Sequence, residues 1–85
     1  MPGDCNKSFY YLEIGSYEGM SLLYVLERYK NSKVTSIDLW NDNDIEISFN
    51  KNINNYSNLI KIKSDSIIAL REFNKKNKKF DYIYI

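Results

Sequence analysis

Glu13, Gly15, Gly19, Asp38 and Asp65 are the side chains and turns, at the intervals, that a ligand site would use. Gly15 and Gly19 bracket Ser16-Tyr17-Glu18, directly after the apolar run Phe9–Ile14. Glycine tolerates backbone angles that bring main-chain N–H groups close to a ligand, and a helix start favours negative charge. The functional reading of this stretch is a cofactor loop; the alternative is a plain strand-to-helix turn. Asp38 ends the next apolar run, about 20 residues after the glycine turn, where a carboxylate can accept both hydroxyls of a ribose. Its alternative is a cap or turn aspartate. Asp65, in Lys63-Ser-Asp-Ser66, ends a third run and could accept from an adenine amino group or cap the following helix. Glu13 sits inside an apolar run, where an unpaired carboxylate is costly. It either helps orient a cationic ligand or is a structural carboxylate satisfied by backbone N–H groups. Together these residues suggest a site for a nucleoside-containing cofactor.

The nicotinamide dinucleotide fingerprint, Gly-x-Gly-x-x-Gly, is not met, because the spacing here is Gly-x-x-x-Gly with Tyr17 in the middle. A bulky residue there opposes close approach of a pyrophosphate and disfavours half of a nicotinamide-dependent oxidoreductase. Trp40 could flank an adenine, but large aromatics more often pack. The lysine run Lys75–Lys79 reads as a solvated connection.

Positioning these residues requires alternating elements. Phe9–Ile14 reads as a buried strand. Leu22, Leu23, Leu26 and Tyr29 fall at helical spacing, with Ser21 in the first turn and Asn31 near the end. Lys33–Leu39 is a second strand, and Ile45, Phe49 and Ile53 mark a helix over about 44–55 with Asn or Asp caps. Its asparagines make it a poor intrinsic helix, so packing must hold it. Leu59–Lys63 is a third strand, 66–75 a third helix and Phe80–Ile85 a fourth strand. The order β-α-β-α-β-α-β predicts an α/β fold, part of a doubly wound Rossmann-like parallel sheet with strand order 3-2-1-4. Residues 1–8 read as a flexible N-terminus, and 9–85 as the N-terminal, cofactor-binding half of a domain truncated at its fourth strand. An apolar fourth strand at a sheet edge predicts self-association.

Composition narrows the classes. At 85 residues there is room for one small domain, and a formal net charge of +1 makes no argument for nucleic acid or membrane partners. The lone cysteine, Cys5, the absence of histidine and the scattered carboxylates predict no metal site. No apolar run approaches the roughly 20 residues needed to span a bilayer. A reducing, cytoplasmic setting is the expectation.

The ordered set of motifs resembles the class I S-adenosylmethionine-dependent methyltransferases. Leu12-Glu-Ile-Gly-Ser-Tyr-Glu-Gly19 is similar to that family's acidic-x-Gly-x-x-x-Gly motif, and with the following Met-Ser it most resembles a small-molecule O-methyltransferase-like branch. Thr35–Trp40, Lys63–Ser66 and Phe80–Ile85 resemble the second motif, the third motif and the fourth strand. The resemblance implies S-adenosylmethionine as cofactor and a small-molecule methyl acceptor. It implies that Gly15 and Gly19 let the loop, with Ser16 and Tyr17 also cofactor-binding, approach the cofactor's amino-acid part, and that Glu13 supports that loop or the cofactor's ammonium. Asp38 and Leu39 would then hold the ribose, and Asp65 and Ser66 would face the adenine. No residue here reads as a general base, and the 85 residues alone are expected to be inactive.

Overall fold

Seven elements alternate along residues 1–85, all of which the computed structural model describes. They are β1 (Tyr10–Ile14), α1 (Met20–Arg28), β2 (Lys33–Asp38), α2 (Asn43–Ile53), β3 (Leu59–Lys63), α3 (Ser66–Lys75) and β4 (Tyr82–Tyr84). The strands form one parallel sheet in the order β3-β2-β1-β4, so the chain adopts the expected partial Rossmann-like α/β fold.

Alternation along each strand sends side chains to opposite faces. One face carries α1 and α2 over nine buried residues, among them Tyr11, Leu22, Leu26, Val34, Trp40 and Phe49. The other carries α3 over three, Leu12, Ile37 and Ala69. α1 buries Leu22, Val25 and Leu26, the expected helical stripe. α2 is capped by Asp42, whose carboxylate accepts from the amides of Asp44 and Ile45, and it is anchored by the fully buried Phe49.

Ser21 stands in the first turn of α1, and Gly19 stands at the cap with φ 83° and no side-chain hydrogen bond. Two local expectations change. Asn31 does not end the helix, which stops at Arg28; its amide donates to the Asn6 carbonyl at 3.0 Å. The fourth strand is three residues rather than six. Phe80 packs edge-on against Phe73 instead, with centroids 5.2 Å apart. The Asp81 carboxylate accepts the Tyr10 amide at 2.8 Å, so a side chain stands where a strand carbonyl would. Residues 1–8 form no helix or strand, and the Tyr29 hydroxyl donates to the Pro2 carbonyl at 2.7 Å.

Candidate functional site

The turn after β1 holds three left-handed residues in five: Gly15 (φ 82°), Tyr17 (φ 51°) and Gly19 (φ 83°). The two glycines serve different ends. A Cβ on Gly19 would stand 3.0 Å from a ring carbon of Phe49 and 3.3 Å from Ile53, so glycine lets α2 close on the loop. A Cβ on Gly15 would meet only the Tyr17 ring, at 3.8 Å, so its backbone angle alone requires glycine.

Tyr17 takes a conformation that costs a side-chain-bearing residue about 1–2 kcal/mol. A clasp holds it there. The Tyr17 amide donates to Asp38 Oδ2 at 2.9 Å, and the Trp40 indole donates to the Tyr17 carbonyl at 2.7 Å. Trp40, itself at φ 46°, donates its amide to Asp38 Oδ1 at 3.0 Å. Asp38 thus ties the loop after β1 to the loop after β2. Each of its oxygens takes one amide and keeps a second acceptor position. Trp40 is 3% exposed, with its ring centroid 4.5 Å from that of Phe49; it packs.

Glu13 lies behind the loop and is 1% exposed. Neither backbone N–H groups nor a cation satisfy it. Ser21 of α1 donates to Oε1 at 2.6 Å, and the Tyr11 hydroxyl donates to Oε2 at 3.3 Å. Burial pushes the Glu13 carboxyl up, against hydrogen bonds from Ser21, Tyr11 and Ser16 that pull it down. Burial and the neighbouring Glu13 push the Tyr11 phenol up as well. Ser16, 3% exposed, accepts from the Ser36 hydroxyl at 2.6 Å and pins the loop to β2.

At the carboxyl edge of the sheet, Gly15, Asp38, Leu39, Asp65 and Ser66 line one cleft of about 160 Å³. An adjoining depression of about 240 Å³ shares Asp38 and Leu39 and is bordered by Tyr17 and Trp40. Six of the nine sequence-derived positions therefore meet along one rim. Glu13, Ser16 and Gly19 do not reach it; they form the layer that supports the loop. Ile14, Ile37 and Ser64 also line the cleft and were not singled out by sequence. Their signal was position alone, each directly preceding Gly15, Asp38 or Asp65.

Asp65 caps α3, its Oδ1 accepting from the amides of Ile67 at 2.9 Å and Ile68 at 3.3 Å. Its Oδ2 takes no hydrogen bond within the chain. The rim therefore offers carboxylate acceptor positions from two strand ends, while the Gly15 amide is already spent on the Ile37 carbonyl at 2.8 Å. That set fits a ligand with hydroxyl and amino donors, such as a nucleoside. Each hollow is smaller than the roughly 300 Å³ at which ligand pockets begin, so a nucleoside cofactor needs further walls. A larger depression, about 380 Å³ beside Leu26 and Tyr56, lies away from these residues, and its Glu27 and Lys30 pair with each other at 3.9 Å.

No family model matches the sequence, and no curated protein matches it. Among solved structures, the fold is similar to a fibrillarin pre-rRNA processing protein from Methanococcus jannaschii, with a TM-score of 0.74 and 19% identity. The match covers 99% of this chain and 35% of that protein, so the chain spans about a third of its length. The likeness establishes the fold alone, a Rossmann-like parallel α/β sheet.

Proposed function

We propose that this chain is the cofactor-binding half of an S-adenosylmethionine-dependent methyltransferase whose acceptor is a small molecule. One observation carries the reading. Gly15, Asp38, Asp65 and Ser66, from three successive strand-to-helix turns, line a single cleft at the carboxyl edge of the sheet. Ligands of open parallel sheets bind at that edge.

The cofactor's sulfonium would supply the methyl group. The chain's residues bind and orient. Asp38 accepts from the ribose hydroxyls with the positions its two amides leave free. Asp65 Oδ2 accepts from the adenine amino group, and Leu39, 46% exposed, offers apolar surface beside the ribose. Gly15, without a side chain, leaves room for the amino-acid part to approach the loop. Glu13, Ser16 and Gly19 act one layer back by fixing the loop. Acceptor contacts and any general base come from residues outside these 85.

A second reading, an RNA acceptor, draws on the pre-rRNA role of the Methanococcus jannaschii protein. The basic run Lys75–Lys79 argues against it. Ser66 at the start of α3 lines the cleft, and the ten residues of α3 place Lys75 about 15 Å away at the other end.

Isothermal titration calorimetry with S-adenosylhomocysteine and with NAD tests the cofactor reading. The expected result is saturable heat with S-adenosylhomocysteine and none with NAD. Asp38→Asn keeps one acceptor oxygen for the loop clasp and should weaken binding about tenfold, the worth of one charge-assisted hydrogen bond. A folded protein giving heat with neither ligand would leave a non-catalytic Rossmann-like module as the correct description.

A further inference from the structure

The sparsely covered face of the sheet holds a groove of about 350 Å³ between α3 and β3. Its walls are apolar: Ile60 and Ile62 from β3, Ile68 and Phe73 from α3. Thr35, Lys76 and Lys78 also line it. Thr35 lies level with Ile60 in the β2–β3 register, toward the amino edge of the sheet. Lys76 and Lys78 follow the C-terminus of α3 at the same edge. The groove therefore gathers its two cations at the amino edge, has Ser64 at the carboxyl edge, and is walled by apolar side chains between them.

Two observations give the amino-edge end a ligand's complement. Thr35 is 5% exposed, and its hydroxyl makes no hydrogen bond within the chain. Every sealed polar side-chain atom has a partner, so this hydroxyl opens into the groove. Neither Lys76 nor Lys78 is in an ion pair; the Lys78 ammonium rests over the Tyr10 and Phe80 rings at 4.8 and 5.8 Å. Glu72, the one acid on the wall, is held by Lys75 at 3.6 Å.

We infer that this groove binds a small amphiphilic anion. Its apolar chain lies against Ile60, Ile62, Ile68 and Phe73. Its anionic head meets the two lysines and the Thr35 hydroxyl. The volume falls within the roughly 300–1,000 Å³ of small-ligand pockets. The groove and the cofactor cleft meet only at Ser64, which lines both. The inference does not depend on the methyltransferase reading.

The test is an amide NMR titration of the protein with decanoate below its micellar concentration, with decanol and acetate as controls. Saturable shifts are expected at Thr35, Ile60, Ile62 and Ile68, with decanoate bound about tenfold tighter than decanol, the worth of one charged hydrogen bond. Replacing both lysines (Lys76→Gln with Lys78→Gln) should bring decanoate to the level of decanol. Thr35→Val, which keeps the side-chain shape, should weaken it about threefold. The same spectra report that each variant is folded. Equal affinity for decanoate and decanol, identical shifts with acetate, or no shifts at these four amides would each overturn the inference.

Discussion

The two faces of the sheet are built to different standards. The face under α1 and α2 buries nine core residues, and the face under α3 buries three. The reason lies in coverage. Two helices close over β1, β2 and β3 on the first face. A single helix crosses the second and leaves Ile60, Ile68 and Ile83 each more than half exposed. The glycine loop leans on the dense face: Gly19 on Phe49, Ser16 on Ser36, and Asn52 of α2 donating to the Glu18 carbonyl at 2.9 Å. Close packing holds the loop's left-handed backbone in place. The sparse face bears the open apolar surface. The glycine loop thus draws its packing support from the dense side of the sheet.

Truncating one aromatic on each face measures that difference most directly. Phe49→Ala should cost about 3–5 kcal/mol, the range for a fully buried phenylalanine, and should leave little folded protein. Phe73→Ala, half-buried on the sparse face, should cost about 1–2 kcal/mol. Urea unfolding gives both values, and a larger loss at Phe73 would reverse the ranking of the faces.

The glycines come next. Gly19→Ala combines a positive φ with a contact on the Phe49 ring and should cost about 2–3 kcal/mol. Gly15→Ala meets only the backbone term, about 1 kcal/mol. Thermal melts that rank them equally would mean that α2 does not close on Gly19.

The buried carboxyl of the dense face sets a smaller effect, with a definite sign. Burial raises the Glu13 carboxyl above its ordinary value of 4.5 in the folded state. The native protein then holds a proton that the unfolded chain has released, so stability falls as pH rises above about 4.5 toward the raised value. Glu46 acts in the opposite sense, because its hydrogen bonds from Lys61 and Lys63 lower it and its contribution is lost as pH falls below 4.5. Glu13→Gln should flatten the slope above 4.5 and leave the one below it. An unchanged slope across pH 4–8 in urea midpoints would show that Glu13 is ionised in the fold.

The smallest change in stability belongs to the edge of the sparse face. The two edges of the sheet differ as the faces do. β3 carries Lys61 and Lys63, which meet Glu46 at 2.6 and 2.5 Å, and edge lysines discourage strand pairing. β4 presents Ile83 and Tyr84, each 57% exposed, with no charge. We propose that copies of the chain associate through β4. Ile83→Lys should shift stability by less than about 0.5 kcal/mol while making sedimentation independent of concentration. A wild-type protein that sediments as a monomer at all concentrations would end that proposal.

Local chemistry accounts for what could be read in the chain. Helical spacing of Leu22 and Leu26, alternation in Leu59–Lys63, and glycines and aspartates at the breaks marked every element and its order. The same breaks marked Gly15, Asp38, Asp65 and Ser66, because residues at the ends of parallel strands share one rim whatever the packing behind them. The ends of elements were less legible. Asn31, expected to end α1, and Asp81, expected within the fourth strand, each bond a partner elsewhere in the chain. Long-range bonds were not legible at all. Pattern does not disclose that Trp40 clasps Tyr17 or that Ser36 meets Ser16, since these pairs stand 23 and 20 residues apart.

Periodicity and turn chemistry, which act over a few neighbouring residues, dictate the alternation of strands and helices, the parallel order and the rim where Gly15, Asp38, Asp65 and Ser66 meet. Only the tertiary structure decided that Asp38 spends one acceptor position of each oxygen on the loops, that Glu13 is buried among hydroxyls, and that one face of the sheet is dense and the other open. Those outcomes depend on which groups folding brings together and which it hides from water, and that is a property of the packed chain.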